Sequence, residues 1–382
     1  MDLKQWIIAE AKAIGIDKIG FADASDFEHL RPSIQKQINS GHTSGFEHQN
    51  LDERLQPALV FDAPKTIISV ALAYPSQMPK LKDGRPRGLF ARASWGVDYH
   101  DILRAKMNQL IENIKKKTET ATFKPMVDTG ELIDVAVAQR AGLGFIGRNG
   151  LLITEEFGSY VYLGEIITNL ELEPDLPSTL DCGDCMKCIK ACPTSALLGN
   201  GQMNAKRCLS YQTQTKGMLE LEYRKKMRNI IYGCDICQVV CPYNIGKDFH
   251  LHPEMEPTLL DVQPDLEELL TMSNKEFKAR FGYMAGSWRG KKTLQRNSII
   301  ALANLKAVDS LDLLWEVALK DSRSDIVATA IWAISQLKKT WSPDDLKRLN
   351  EIRFKHPGEE VQTELNRSNA EMFLEALTKR SP

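Results

Sequence analysis

The chain has 382 residues and a mass of 43.0 kDa, more than one hydrophobic core usually fills, so a single small module is excluded. Its 49 Lys and Arg residues balance 50 Asp and Glu residues, and the net charge of −1 excludes a uniformly basic nucleic-acid coat. With 43% hydrophobic and 26% charged residues, the composition is typical of a folded protein. There is no signal-peptide pattern and no bilayer-length apolar run, so we expect a cytoplasmic protein without a membrane segment.

Residues 1–175 alternate strand-like runs with amphipathic helical runs, which predicts an α/β domain. A helix is predicted over Asp101–Lys117, where apolar residues recur at helical spacing. The stretch 171–181 is rich in proline and acidic residues, so we place a domain boundary there. The predicted strands are Lys18–Asp23, Thr66–Tyr74, Phe123–Asp128 and Val161–Thr168.

The remainder of the chain divides into a loop-rich cysteine region, residues 176–255, and a helical region, residues 256–382. Within the helical region, small residues occupy close-packing positions in three segments, which favours stacked, HEAT-like helical pairs. A plain helical bundle fits the same periodicity. The three segments are Ser298–Leu305, Asp325–Leu337 and Glu360–Leu377.

All eight cysteines lie in one short region, which indicates a local site. Residues 182–193 carry the complete C-x2-C-x2-C-x3-C-P run of bacterial ferredoxins, and residues 234–242 repeat its last three positions. In such runs the fourth cysteine ligates the neighbouring cluster, so the spacing predicts a ferredoxin-like domain with two 4Fe–4S clusters. The first cluster is assigned Cys182, Cys185, Cys188 and Cys241. The second is assigned Cys192, Cys208, Cys234 and Cys237.

Two other uses of these cysteines were weighed. Pairs spaced C-x2-C also form zinc sites, but zinc motifs seldom carry the full ferredoxin run followed by proline. Disulfides are disfavoured in a chain without a secretion signal. A pair of clusters that share ligands would conduct electrons, so this region predicts electron transfer without naming its end point.

A glycine-rich segment, Gly142–Gly150, contains the pattern G-x-G-x-x-G. A dinucleotide site requires this pattern to follow a strand and open a helix, whereas here it follows a helix-like run and precedes the strand-like Leu151–Thr154. A nicotinamide site is therefore disfavoured. The segment is either a loop where backbone approaches a large flat group or a plain turn.

Asp134 is the candidate acid of the first domain. Asp128 and Glu131 read as a capping box that opens a helix over Glu131–Ala141, placing Asp134 in its second turn among apolar neighbours. A carboxyl so placed is desolvated, and its pKa would rise towards the range of a general acid. The alternative is an ordinary exposed or paired acid near a helix start.

Together these features resemble one family over nearly the whole chain, the epoxyqueuosine reductases, which use cobalamin and iron–sulfur clusters in tRNA modification. The match includes the cysteine pattern, the glycine-rich segment and a helical tail that begins at Trp288–Arg289. Its other motifs are Gly96–His100 (GVDYH), Asp128–Gly130 with Asp134, Phe157–Ser159 (FGS) and Leu163–Ile166 (LGEI).

The resemblance implies a mechanism and a set of site residues. Electrons from an external donor, a flavodoxin, ferredoxin or similar protein, would pass through the clusters to cobalamin, and Asp134 would protonate the departing epoxide oxygen. Loss of water would leave the cyclopentene ring of queuosine, in the last step of queuosine biosynthesis. The implied cobalamin contacts are Val97, Asp98, Tyr99, Asp134, Gly158 and Ser159.

A tRNA partner also suits two basic segments, Lys216–Arg228 and Lys275–Arg296, the second of which contains Tyr283 and Trp288. The expected tRNA contacts are Arg224, Lys225, Lys226, Arg289, Lys291, Lys292 and Arg296. Two other functions are carried forward. One is a ferredoxin-type electron-transfer protein, and the other is a cobalamin-dependent enzyme that acts like a reductive dehalogenase.

Overall fold

A computed structural model describes residues 2–378 of the chain. The strands are β1 (Lys18–Asp23), β2 (Thr66–Ala73), β3 (Leu89–Phe90), β4 (Phe123–Met126), β5 (Phe145–Ile146), β6 (Leu152–Ile153), β7 (Val161–Thr168) and β8 (Ile230–Tyr232). The helices are α1 (Leu3–Ala13), α2 (Arg31–Asn39), α3 (Leu51–Leu55), α4 (Pro57–Val60), α5 (Tyr99–Lys115), α6 (Asp134–Arg140), α7 (Lys187–Ala191), α8 (Leu209–Gln214), α9 (Leu221–Arg224), α10 (Ile236–Val239), α11 (Leu259–Val262), α12 (Leu266–Thr271), α13 (Asn274–Phe281), α14 (Lys291–Asn304), α15 (Leu311–Lys320), α16 (Ser324–Leu337), α17 (Pro343–Lys355) and α18 (Glu359–Thr378).

The chain forms two compact units, each built from three segments. The first unit comprises residues 1–77, 92–208 and 235–256, and the second comprises residues 78–91, 209–234 and 257–382. This grouping differs from the three consecutive domains predicted above, because residues 209–234 of the cysteine region belong to the second unit. There β8 pairs with β3, a strand that precedes the cysteines by about a hundred residues.

The first unit is organised by a four-stranded sheet in the order β1–β2–β7–β4, in which every neighbouring pair is antiparallel. The predicted bounds of β1 and β7 are confirmed, and β2 and β4 end slightly before their predicted ends. Alternate residues of these strands pack on opposite faces. Ile68 and Ile166 join a core with α1 and α5, whereas Ile67 and Ile167 join a core with α6.

The helix that carries Asp134 begins later than predicted. Residues 128–133 form turns, Asp128 has a positive φ of 54°, and α6 begins at Asp134 itself. The predicted capping box is therefore wrong, since the residue that caps α6 is Ile133, which offers no side-chain hydrogen bond. As a result, Asp134 lies in the first turn of the helix rather than the second.

The second unit is mainly helical. All three predicted helical segments are confirmed as helices, within α14, α16 and α18. Helices α14 and α16 are buried around most of their circumference, which explains why their sequences mix apolar with small polar residues. Their arrangement as HEAT-like repeats stays a prediction. Among residues 2–378, every helix is too short or too polar to span a membrane.

Candidate active site and cluster-binding region

Two carboxyl groups meet in the first unit. Asp134 opens α6, and its side chain hydrogen-bonds the side chain of Glu165, which lies in the centre of β7. Glu165 is only 1% exposed, and its Oε1 has no hydrogen-bond partner. Asp134 is partly exposed, so solvent or a ligand reaches one member of the pair while the other is enclosed.

Burial and mutual repulsion prevent both carboxyls from ionising together. Burial is the main cause that raises the pKa of Asp134 to about 6, with a further contribution from the negative charge of Asp128. Burial, followed by the charge of Asp134, raises the pKa of Glu165 well above its ordinary value. Around neutral pH the pair therefore holds one proton between its two members. The sequence-based prediction of a desolvated Asp134 agrees with this geometry.

A protonated histidine connects the turn before Asp134 to the start of α5. The Nδ1 of His100 lies 2.7 Å from Asp98 and its Nε2 lies 3.4 Å from Asp128. Hydrogen bonds to Asp128 and Asp98 raise the pKa of His100 to about 9, so the imidazolium joins the two carboxylates. Arg104 adds a hydrogen bond of 3.3 Å to Thr129 in the same turn. These contacts position the segment that leads to Asp134.

The six residues predicted to contact cobalamin are not equally accessible. Val97, Asp98, Tyr99 and Asp134 are partly exposed, and the ring of Tyr99 stacks on Tyr162 at 4.3 Å. The negative charge of Asp134 contributes to the raised pKa of Tyr99 after burial, Asp128 and Tyr162, which is consistent with the proximity of these groups.

Gly158 and Ser159 occupy a different setting, enclosed within the first unit. The Oδ1 of Asn244 accepts a hydrogen bond of 2.8 Å from the backbone N–H of Ser159, and it would lie 2.1 Å from a Cβ placed on Gly158. The hydroxyl of Ser159 hydrogen-bonds Gln238 at 2.8 Å. Because both residues are buried and occupied by protein partners, we remove them from the predicted ligand contacts.

Four cysteines of the ferredoxin pattern line one cavity of about 460 Å³ in the first unit. They are Cys182, Cys185, Cys188 and Cys241, the set assigned to the first cluster. No three His, Cys, Asp or Glu side chains within residues 2–378 stand close enough to hold a single metal ion. A cavity lined by four thiols has the ligand set that a 4Fe–4S cluster requires.

The glycine-rich segment completes this cavity. Gly144 lies where the carbonyl oxygen of Ile153 would be 2.2 Å from any Cβ, so the close pairing of β5 with β6 requires glycine. Arg148 and Asn149, at the turn of this hairpin, line the cavity. The Nε of Arg148 and the Nδ2 of Asn149 are buried without a hydrogen-bond partner. A cluster bound in this cavity would lie beside these two residues.

The four cysteines of the second set are divided between the two units. Cys192 and Cys208 are partly exposed in the first unit, as is Cys237, whereas Cys234 ends a segment of the second unit. Their joint ligation of a second cluster stays a prediction from spacing.

Two of the seven predicted tRNA contacts are incorrect because they are buried. Arg296 is 1% exposed, and its guanidinium donates to the carbonyl oxygens of Thr215 and Gly217 at 2.7 and 2.9 Å. Arg224 is 3% exposed and forms an ion pair of 3.0 Å with the buried Glu364. Both arginines organise the interior of the second unit, so neither presents its charge to an external phosphate.

The other five predicted contacts reach the surface of the second unit at least in part. Lys225 and Lys292 are exposed, and Lys292 also pairs with Asp325 at 2.9 Å. The guanidinium of Arg289 lies 3.9 Å from the ring centroid of Trp288, which is 53% exposed. Tyr283 is less available, since its hydroxyl donates to Asp261 at 2.9 Å. The remaining two are Lys226 and Lys291.

Sequence reasoning missed the roles of Glu165, His100, Arg148 and Asn149, although all four lay within quoted motifs. Glu165 carried a usable signal, because a lone acid inside the apolar run of β7 must be buried or paired. His100 and Asn149 carried none, since only the tertiary fold brings them to Asp128 and to the cysteines.

Two protein-family models match parts of this chain. A family model described as epoxyqueuosine reductase QueG matches residues 54–129, and one described as a 4Fe–4S double cluster binding domain matches residues 181–244. The second match establishes an iron–sulfur domain with two clusters. It also confirms the ferredoxin interpretation of the cysteine pattern over the zinc alternative.

Relatives that match over most of the chain carry the same family name. The epoxyqueuosine reductase of Lactococcus garvieae is 53% identical over 88% of this chain and 96% of its own. A crystal structure of an epoxyqueuosine reductase with an epoxyqueuosine-modified tRNA-Tyr stem loop is 49% identical, covers 96% of this chain and 97% of its own, and superposes with a TM-score of 0.92. A Bacillus subtilis structure with its Asp134 catalytic loop swung out of the active site is 48% identical over 96% of this chain and 98% of its own, with a TM-score of 0.92. The chain belongs to the epoxyqueuosine reductase family.

Proposed function

We propose that this protein reduces epoxyqueuosine to queuosine in tRNA. The observation that carries the proposal is the Asp134–Glu165 pair, a proton source with one accessible member, in a chain whose relatives share this activity by name. The reaction adds two electrons and two protons to the epoxide, breaks both of its C–O bonds, forms a C=C bond and releases water. It therefore needs an electron source and a proton donor beside the departing oxygen.

Asp134 is the proposed proton donor. It is the partly exposed member of the pair, so its carboxyl is the one that a substrate oxygen can approach. The single proton that the pair holds reaches the substrate oxygen through Asp134, along the hydrogen bond to Glu165, and solvent access to Asp134 allows the second proton to follow. A relative whose Asp134 belongs to a catalytic loop supports this assignment.

Two groups of residues would hold the electron-transfer cofactors. Cys182, Cys185, Cys188 and Cys241 would ligate the first cluster, and the unpaired donors of Arg148 and Asn149 fit its thiolates and sulfides. Cys192, Cys208, Cys234 and Cys237 are the proposed ligands of the second. An external flavodoxin- or ferredoxin-type donor would supply the electrons.

Cobalamin is the proposed cofactor at the epoxide, where it would supply the two-electron reduction. Four of the residues predicted for it fit a large ligand, because Val97, Asp98, Tyr99 and Asp134 are accessible. The stack of Tyr99 on Tyr162 and the His100 ion pairs would keep this surface ordered for binding.

The proposed tRNA-binding residues are the five accessible cations Lys225, Lys226, Arg289, Lys291 and Lys292. Phosphate contacts need exposed cations without strong internal partners, which Lys225 satisfies most fully. The exposed ring of Trp288 can stack on an unpaired base. A relative solved with a modified tRNA stem loop supports this choice of partner.

The test is conversion of the modified nucleoside. Anaerobically purified protein, loaded with iron, sulfide and cobalamin and supplied with a chemical reductant, is incubated with tRNA that carries epoxyqueuosine. Mass spectrometry of the digested tRNA is expected to show a loss of one oxygen from the nucleoside. Epoxyqueuosine that persists, in a protein whose spectrum shows both cofactors bound, would contradict the proposal.

The same preparation tests the two rival functions. A ferredoxin-type electron-transfer protein would bind clusters but not cobalamin, and a dehalogenase-like enzyme would reduce an aryl halide while leaving the tRNA unchanged. We expect cobalamin binding and reaction with the tRNA only.

A further inference from the structure

A groove in the second unit gathers positive charge without any acid to neutralise it. Its cavity, about 340 Å³ in volume, is lined by Lys225, Arg228 and Lys306 together with the amides of Asn229 and Asn304, and by no acidic side chain. The three cations are exposed, and none of their side chains forms an ion pair with the described residues of the chain. Arg228 ends the first basic segment described above, but neither Arg228 nor Lys306 was among the seven tRNA contacts expected from the sequence.

Two of these cations are held in backbone conformations that favour glycine. Arg228 has φ 53° and ψ −125°, and Lys306 has φ 59°. Within residues 2–378 five non-glycine residues have a positive φ, and two of the five line this groove. Long cationic side chains at positions where glycine would be less strained indicate that the side chains themselves are needed.

The backbone around the groove is braced. The Nδ2 of Asn304 donates to the carbonyl oxygens of Arg224 and Arg228, both at 2.8 Å, and so ties the turn at Arg228 to the end of α14. Lys306 follows that end directly, where α14 closes with a hydrogen bond of 3.1 Å from Ala307 to Leu302. The negative end of the helix dipole suits one nearby cation, but it does not account for three that converge.

We propose that this groove binds the phosphodiester backbone of the tRNA substrate, with Arg228 and Lys306 as its principal contacts. Converging cations and amide N–H donors without acids are the chemistry that recognises phosphate oxygens. The inference rests on the proposed function, since it assumes that tRNA is the substrate, and it adds Arg228 and Lys306 to the five cations named above, of which Lys225 also lines the groove.

The conformations of Arg228 and Lys306 allow an unusually clean test. In the double variant Arg228→Gly, Lys306→Gly, both charges are removed, while the new residue suits the existing backbone. We expect the thermal midpoint to stay within about 2 °C of the wild type. Binding of full-length epoxyqueuosine tRNA is expected to weaken roughly ten-fold near 0.1 M salt. The slope of log K for binding against log salt concentration, called the salt slope below, is expected to become shallower by about one to two.

Lys12→Ala provides the matched control, because Lys12 is an exposed lysine on α1 of the first unit and should affect neither quantity. If the double glycine variant unfolds, Arg228→Gln, Lys306→Gln is compared with the charge-preserving Arg228→Lys, Lys306→Arg, and only the former should bind weakly. Unaltered affinity and salt slope in the double variant, or an equal loss of tRNA affinity in Lys12→Ala, would show that the groove does not bind the tRNA backbone. Wild-type protein that leaves epoxyqueuosine unreduced would instead overturn the proposed function.

Discussion

The two units both bury charged side chains, but they satisfy them differently. In the second unit, Arg296 is enclosed, and its guanidinium hydrogen-bonds backbone carbonyls and the side chain of Asn297. In the first unit, Glu165 is equally enclosed, but one of its carboxyl oxygens has no partner and its neighbour is another acid. The two side chains are similarly inaccessible and differ in whether their hydrogen-bonding capacity is filled.

This difference separates structural from chemical roles. A buried charge with every donor used contributes to folding, and its removal leaves carbonyl groups unsatisfied. A buried acid with an unfilled oxygen and a like-charged partner keeps a proton that a reaction can use. Four substitutions test this distinction, beginning with the largest expected effect.

Asp134→Asn should cause the largest loss. The amide is close in shape to the carboxyl but has no acidic proton to give, so turnover is expected to fall roughly a thousand-fold, within the usual range for a general acid. Single-turnover assays with epoxyqueuosine tRNA measure this, and absorption spectra check that clusters and cobalamin are still bound. Near-normal turnover would exclude Asp134 as the donor.

Arg296→Met should destabilise the second unit instead of impairing chemistry. Loss of the guanidinium leaves the carbonyls of Thr215 and Gly217 without their donor, at a cost of about 3 kcal/mol in the free energy of unfolding. Urea denaturation measures this. Lys320→Met is the matched control, because its exposed ion pair with Glu316 should contribute less than about 1 kcal/mol. Equal stability losses would contradict the structural role of Arg296.

Glu165→Gln should change the pH dependence of turnover. In the wild type the pair keeps one proton above neutral pH, because the pKa of Glu165 is raised. In the variant only Asp134 is left to hold the proton, and a carboxyl with a pKa of about 6 is half protonated at pH 6 but only about one hundredth protonated at pH 8, so activity relative to the wild type should fall about fifty-fold over this range. A constant ratio of the two rates across this range would show that Glu165 holds no useful proton.

In the same variant, stability relative to the wild type should rise with pH, whereas turnover relative to the wild type should fall. The folded-state pKa of Glu165 lies above its unfolded value, so the stability that it contributes is greatest at low pH and declines as pH rises above about 4.5. Replacement by Gln removes this decline. The urea midpoint of Glu165→Gln, measured relative to that of the wild type, should therefore increase between about pH 5 and pH 8. Parallel midpoints would indicate that Glu165 is not protonated in the folded protein.

Asn149→Leu should have the smallest effect, a change in the reduction potential of the first cluster alone. A donor to cluster sulfur favours the more negative reduced state, so its loss should lower the reduction potential by roughly 40 mV, equivalent to one hydrogen bond. Potentiometric titration followed by electron paramagnetic resonance measures this. Asn229→Leu, in the second unit, is the control and should leave the potential unchanged. An unaltered potential in Asn149→Leu would mean that its amide does not reach the cluster.

Local sequence patterns predicted the strands and grouped the four cysteines that line one cavity, because strand periodicity and ligand spacing are encoded mainly in neighbouring residues. The ends of β1 and β7 were placed correctly for this reason. The capping box failed because Asp128 adopts a positive φ and its carboxylate contacts His100 from α5, which is distant in sequence. The runs of basic residues were an unreliable guide to tRNA contacts, because Arg224 and Arg296 lie in basic segments but are buried in the core. Burial of a cation depends on tertiary partners that are distant in sequence.

The proton shared by Asp134 and Glu165 is the central claim, and infrared difference spectroscopy tests it most directly. Wild-type protein and Glu165→Gln are compared at about pH 7.5, where an ordinary carboxylic acid is ionised. A shared proton predicts a protonated-carboxyl C=O band in the wild type that is absent from Glu165→Gln and shifted in Asp134→Asn. Superimposable spectra of the wild type and Glu165→Gln in this region would show that Glu165 is ionised, and would contradict the account.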